Sequence, residues 1–262
     1  MIKEENMNVT VLGSCANQIA NREGVSILVE NKSDNLLIDC GPGIVAAFGR
    51  ANRKTSDINN VLLTHVHGDH ISGFAYFVWN RNFERMGAAP AEDLHVYGQK
   101  DTIECAKHLL AHCYPELKFP FAVIYHEIDA EFVFECGELN IKTVPAQHTV
   151  PCVSCIITAN NKKFVYTSDT IPNANLKEGA QNADILIHEG MMPQAMSALA
   201  ERVKHSLAGQ AGEFAKEVNA KQLILVHVAP GLLGKEGMLM EEAAEYYEGP
   251  ICVPFDGTVF KV

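Results

Sequence analysis

The segment Thr64-His65-Val66-His67-Gly68-Asp69-His70 constrains this chain more than any other. It follows the apolar run at 61–63 and precedes a stretch in which Ile71, Phe74 and Val78 recur at helical spacing. Four metal-ligand side chains therefore crowd one strand-to-helix turn. One segment cannot wrap all four around a single tetrahedral ion and still leave room for chemistry. Two ions sharing the segment is the natural solution, with His65 and His67 projecting toward one and Asp69 and His70 toward the other. Histidine is the commonest metal ligand, and this sequence holds 11 beside a single tryptophan.

The rest of the chain reads as one domain over 1–262, without an internal repeat, a low-complexity stretch or a Pro/Gly/Ser-rich linker. β-Branched and aliphatic runs predict strands at 8–12, 25–30, 36–39, 60–63, 94–97, 122–128, 132–134, 139–144, 152–158, 163–167, 184–188 and 223–228. Gly41-Pro42-Gly43 turns into a short helix over 44–50, and Asp101 caps a helix running to about 113. Ser206 caps another, with Leu207, Ala211, Phe214, Ala215 and Val218 on its apolar face. Glu241, Glu242, Glu245 and Glu248 mark a solvated helix face, and Asp256-Gly257 reads as the turn between two terminal strands. This order fits two mixed sheets packed face to face with helices outside. It fits a Rossmann alternation less well, and no Gly-rich phosphate-binding motif occurs.

Composition sets the outer bounds. With 47% apolar and 20% charged residues the mix is that of a globular protein. No apolar run approaches the roughly 20 residues that span a bilayer. Residues 1–6 lack the apolar core of a secretory signal, so the expected location is the cytoplasm. There the eight cysteines stay reduced. The 21 Lys and Arg against 32 Asp and Glu give a formal net charge of −11, which offers phosphate backbones no bulk attraction.

The His-x-His-x-Asp-His pattern is the signature of the metallo-β-lactamase superfamily, and the sequence resembles that superfamily along nearly its whole length. Three more ligand-type residues fall at strand ends in the same order: His148 in Gln147-His148-Thr149, Asp169 in Ser168-Asp169-Thr170, and His227 after the run 223–226. The resemblance implies an α/β fold, a four-layer αββα sandwich. It implies that His65, His67 and His148 hold one ion, that Asp69, His70 and His227 hold a second, and that Asp169 bridges them. Asp39, in Ile38-Asp39-Cys40-Gly41, matches the early Asp-x-Gly element that orients a ligand from behind; a plain turn carboxylate is the other reading. The donors suit two divalent ions, Zn2+ best, with Mn2+ or Fe open in one site. Coordination lowers the pKa of water from about 15.7 toward about 7, and the resulting hydroxide is the expected nucleophile. Asp69 counts among the catalytic residues.

The segments His188-Glu189-Gly190, His205-Ser206 and 220–227 resemble the ribonuclease Z and phosphodiesterase branch. There the Glu of a His-Glu-Ala-Thr motif supports the His of a His-Ser-Thr motif, which protonates the leaving oxygen or stabilises the scissile phosphate. Glu189 and His205 occupy the matching positions, although Gly190, Met191 and Leu207 depart from the motifs. A histidine that merely precedes a helix is the alternative. Ribonuclease Z enzymes that bind tRNA carry a protruding basic arm, which in the bacterial form lies between the third His motif and the Ser-Asp-Thr strand. Here the interval 152–166 holds only a hairpin around 159–163. Together with the acidic balance, this argues against tRNA.

The expected activity is a dinuclear metal-dependent phosphodiesterase using a metal-bound hydroxide on a small or cyclic phosphodiester or phosphate-containing substrate. A carboxylic ester, lactone or thioester hydrolase of the same superfamily is the alternative. A non-hydrolytic iron-binding module is a third reading. A homodimer is suggested by the resemblance alone, and no membrane partner is expected. Outside the motifs, Cys105, His108 and His112 are read as a packed helical stripe, and Cys152 and Cys155 as packing residues. Core packing is also expected for most of Phe74, Phe77, Trp79 and Phe83.

Overall fold

The computed structural model describes residues 7–19, 22–85 and 92–262, so the opening segment 1–6 lies outside the described residues. Two seven-stranded sheets face each other. The first contains β1 (Asn8–Gly13), β2 (Ser26–Asn31), β3 (Asp34–Ile38), β4 (Asn60–Leu62), β5 (Leu94–Gly98) and β6 (Val123–Glu127) in sequence order. The second runs through β7 (Phe132–Cys136), β8 (Leu139–Pro145), β9 (Val153–Ala159), β10 (Lys162–Tyr166), β11 (Ile185–Glu189), β12 (Leu223–Val226) and β13 (Ile251–Cys252). β14 (Thr258–Lys261) returns to pair with β1 and completes the first sheet.

Each sheet is half antiparallel and half parallel. The parallel strands β3 to β6 and β10 to β13 need helical crossovers, and these lie outside the sandwich. α1 (Ile44–Arg50), the single turn α2 (Gly68–Ile71), α3 (Phe74–Glu84) and α4 (Lys100–Cys113) follow strands of the first sheet, and all four contribute to the core on its outer face. α5 (Ala174–Ala180), α7 (Ala208–Glu217) and α8 (Glu236–Ala244) cover the second sheet, and α6 (Ser197–Val203) packs a small cluster with Met192 and Leu207. Gly212 lets α7 and α8 touch, since a Cβ there would lie 2.3 Å from the Ala243 carbonyl oxygen. Val9, Val11, Ile27 and Leu36 meet Ile141, Ile157, Phe164 and Ile187 between the sheets. The result is the α/β four-layer αββα sandwich.

Several details depart from the sequence reading. α4 starts at Lys100, and Asp101 makes no side-chain cap. Its buried stripe is Thr102, Ile103 and Ala106, one phase away from the expected one; Cys105 is half-buried and His108 and His112 are exposed. On α3 the stripe is Phe74, Phe77, Val78 and Arg81, at i, i+3, i+4 and i+7. Phe83 falls off that stripe and is exposed, while Trp79 stacks between Tyr76 and Phe83 at the surface. Ser206 does not cap α7, because its hydroxyl donates instead to the Thr170 carbonyl. Asp256-Gly257 is no hairpin turn. β13 belongs to the second sheet and β14 to the first, so this segment carries the chain across the sandwich. The Asp256 carboxylate fixes the crossing by accepting bonds from the Ser14 hydroxyl and the Glu23 amide.

Phe77 is fully buried on the helix that follows the histidine motif. Phe77→Ala is expected to cost about 3–5 kcal/mol of stability by the cavity it leaves. Equilibrium denaturation of the variant checks this, and a loss below about 1 kcal/mol would contradict the packing described.

Candidate metal centre

The ligand-type residues collect where strands of both sheets end. The chain leaves β4, passes Thr64 to His67 in extended form, and enters α2, whose turn presents Asp69 and His70. Cys40 clamps that turn: its amide donates to the His70 carbonyl, and its own carbonyl accepts from Gly73. Gly41 permits the clamp, because a Cβ there would stand 2.5 Å from the Asp69 carbonyl oxygen. From the second sheet come His148 beyond β8, Asp169 beyond β10 and His227 directly after β12. Asp39, Ser168 and His227 take left-handed backbone angles, with φ of 64°, 52° and 60°. That conformation breaks each strand and turns the chain toward the cleft.

Donor atoms of His65, His67, His148 and Asp169 form one compact group, all within 4.8 Å of one another. Asp69, His70, Asp169 and His227 form a second. Asp169 is common to both and is 1% exposed. Its carboxylate lies 3.2 Å from His227 Nε2, 3.4 Å from His70 Nε2, 3.6 Å from His65 Nε2 and 3.8 Å from His148 Nε2. His65 Nε2, His70 Nε2 and Asp169 Oδ1 are buried without a hydrogen-bond partner. Buried polar atoms are seldom left unpaired. Two groups of nitrogen and carboxylate donors facing inward, with such orphans among them, fit a pair of divalent cations. All seven residues expected from the sequence are brought together here.

Glu189 and His205 adjoin the same cleft. Glu189, at the end of β11, is fully buried, and it accepts from the amides of Thr170 and Ser206. Both of its oxygens lie 3.1 Å from His205 Nδ1. Glu189, His205 and His227 form a third compact group of donors. Lys204 adds a contact invisible in the sequence: its carbonyl accepts from His148 Nδ1 at 3.0 Å, leaving Nε2 to face the cleft. Asp39 is a buried partner and not a plain turn carboxylate, since it accepts from His70 Nδ1 at 2.8 Å.

The two groups differ electrostatically. Burial depresses the imidazoles of the first, holding His65 well below its ordinary value and His148 at about 4. In the second, burial opposes protonation but the carboxylates prevail. Asp169 and Asp39 hold His70 well above its ordinary value, and Asp169 and Asp69 hold His227 at about 10. Burial likewise opposes ionisation of Asp69, yet the His227 bond and the His70 charge bring it to about 2. The first group thus offers neutral imidazoles at pH 7, whereas the second holds protons that a cation must displace. Cation affinity at the second group is therefore expected to rise with pH toward about 10, with proton release at neutral pH, while the first group changes little. Isothermal titration calorimetry in buffers of different ionisation enthalpy checks this.

Comparison with known proteins agrees with this geometry. The ribonuclease Z of Azobacteroides pseudotrichonymphae is 27% identical, and the match covers 93% of this chain and 94% of that one. The metallo-β-lactamase fold protein YhfI from Bacillus subtilis superposes with a TM-score of 0.83 at 24% identity, over 98% of this chain and all of that chain. A diphosphatase of the PhnP family gives a TM-score of 0.74 at 21% identity, over 98% of this chain and 97% of that one. The fold is that of the metallo-β-lactamases, and the chain falls in their ribonuclease Z-like branch. A family model described as anti-Pycsar protein Apyc1 matches residues 7–236, and this chain belongs to that family.

Proposed function

We propose that this chain is a two-cation phosphodiesterase for a small or cyclic phosphodiester, or another small phosphate-containing substrate. The observation that carries the reading is Asp169, buried and shared by two four-residue donor groups, with the Glu189–His205 pair beside them. The ribonuclease Z and PhnP-family relatives support phosphoester hydrolysis as the class. His65, His67 and His148 would hold one cation, Asp69, His70 and His227 the other, and Asp169 both. Two divalent ions, assigned as zinc from their histidine and carboxylate donors, would supply hydroxide at neutral pH and charge to steady the phosphoryl oxygens.

The remaining work falls to the protein. Glu189 holds His205 through Nδ1, so Nε2 is the nitrogen left to meet the substrate. As the bond from phosphorus to the leaving oxygen breaks, the Nε2 proton passes to that oxygen and the imidazole becomes neutral. Beside His205 opens a cavity of about 390 Å³ lined by Ile171, Pro172, Gln194, Ser197, Glu201 and Gln210. That volume suits a small leaving group.

The β9–β10 connection and the charge favour a small substrate. β9 and β10 are joined by Asn160-Asn161, both at positive φ, a tight two-residue turn with no arm. The net charge of −11 further disfavours a polynucleotide. Among the described residues no helix is long and apolar enough to cross a membrane.

Purified protein loaded with zinc should hydrolyse bis(p-nitrophenyl) phosphate and lose the activity to a chelator. His67→Ala should abolish it, and His205→Ala should lower kcat by about 10²–10⁴ while leaving zinc content unchanged. A panel including p-nitrophenyl acetate, a lactone and a thioester decides the ester type. Acyl turnover exceeding phosphodiester turnover, with His205→Ala indifferent, would overturn the proposal.

A further inference from the structure

Behind the ligands lies a chain of hydroxyls that joins the two sheets. Thr64 Oγ1 is 2.9 Å from Asp39 Oδ2, 3.0 Å from His65 Nδ1 and 2.9 Å from Ser168 Oγ. The Thr64 amide also donates to Asp39 Oδ1 at 2.8 Å, and His70 Nδ1 lies 2.8 Å from Asp39 Oδ2. Ser168 Oγ is in turn 3.3 Å from Cys152 Sγ. All of these residues are at most 3% exposed, so no bulk water completes the pattern.

The protons in this chain can be assigned by elimination. A threonine hydroxyl has one proton and two lone pairs, and an ionised carboxylate only accepts. If Thr64 gave its proton to His65, two oxygens 2.9 Å apart, on Thr64 and Asp39, would face each other with no hydrogen between them. Thr64 therefore donates to Asp39. Its two lone pairs then receive the Ser168 hydroxyl proton and the Nδ1 proton of His65. Ser168, having given its own proton away, accepts from the Cys152 thiol. Each contact holds one hydrogen and the direction runs from the second sheet into the first. A proton on Nδ1 leaves the His65 lone pair on Nε2, the buried atom that has no partner in the protein.

We propose that Thr64, supported across the sandwich by Ser168, is a positioning residue that fixes the tautomer of His65. This deepens the two-cation reading and rests on His65 being a ligand. Thr64 also keeps Asp39 supplied with donors, so one hydroxyl serves the neighbours of both donor groups. The left-handed backbone at Ser168 fits this role, since a strained angle persists only where its surroundings impose it.

The test uses the full chain and reads tautomers directly. Long-range proton–nitrogen NMR of the metal-free protein should show His65 protonated on Nδ1 and bare on Nε2. Thr64→Val should lose that fixed tautomer, and its zinc affinity, measured by chelator competition, should fall about 10–100-fold. Thr64→Ser should restore both readouts. Ser168→Ala removes one donor to Thr64 and should shift both in the same direction by a smaller factor; it decides the matter if Thr64→Val does not fold. A wild-type His65 protonated on Nε2, or a Thr64→Val protein with unchanged tautomer and unchanged zinc affinity, overturns the proposal. Wild-type protein that takes up no divalent ion would instead overturn the two-cation reading, and the tautomer measurement would still judge the hydrogen bonds on their own.

Discussion

A carboxylate removed from water costs far more than folding can spare unless positive charge or several donors surround it. Asp169 is in that position, with four imidazoles within 3.8 Å and 1% exposure. In the metal-free chain, burial of Asp169 works against ionisation, while charge on His227 and His70 holds its carboxylate well below the usual range. The architecture around it can be understood as the means of bringing those imidazoles to one carboxylate. They come from the ends of strands in two sheets, from a one-turn helix and from a loop beyond β8. None of these elements could supply the set alone.

The three left-handed residues show how the ends are made to converge. Parallel strands buried on both faces run mainly as apolar stretches, and their polar groups gather at the ends, as His188 and Glu189 do on β11. Asp39, Ser168 and His227 each sit just past such a run. There the backbone departs from the sheet within one or two residues, and chemistry begins where packing stops. The hydroxyls of Thr64 and Ser168 then link the two exits across the sandwich.

Much of this was legible in the sequence, for physical reasons. Strands buried between layers must be apolar and bounded by breakers, so most were placed within a residue or two. His65, His67, Asp69 and His70 form a local pattern that needs no tertiary knowledge. Glu189 and His205 emerged only through family resemblance, because sixteen residues separate them and each alone is ordinary. The contact of Thr64 with Ser168 spans 104 positions, and a serine or threonine hydroxyl carries no signal of its partner. The sequence of α4 supports two stripes, and packing in the core with Phe121, Val96 and their neighbours turns the one with Ile103 and Ala106 inward. Which sheet claims β13 and which β14 is likewise a question of space, on which a Asp-Gly turn is silent. α5 and α6 have seven residues each, too short for a period to stand out.

Lys204, His205 and Ser206, three of the four residues between α6 and α7, tie together groups that would otherwise be independent. The Lys204 carbonyl accepts from His148 Nδ1, the His205 ring meets Glu189, and the amide and hydroxyl of Ser206 hold Glu189 and the carbonyl of Thr170. One imidazole of the first donor group and the proposed proton donor thus hang from one hinge-pin of backbone. Damage to that pin would silence both, so lesions there would behave as a single failure whose parts do not sum, and natural variation at this spot should be far narrower than its loop position suggests.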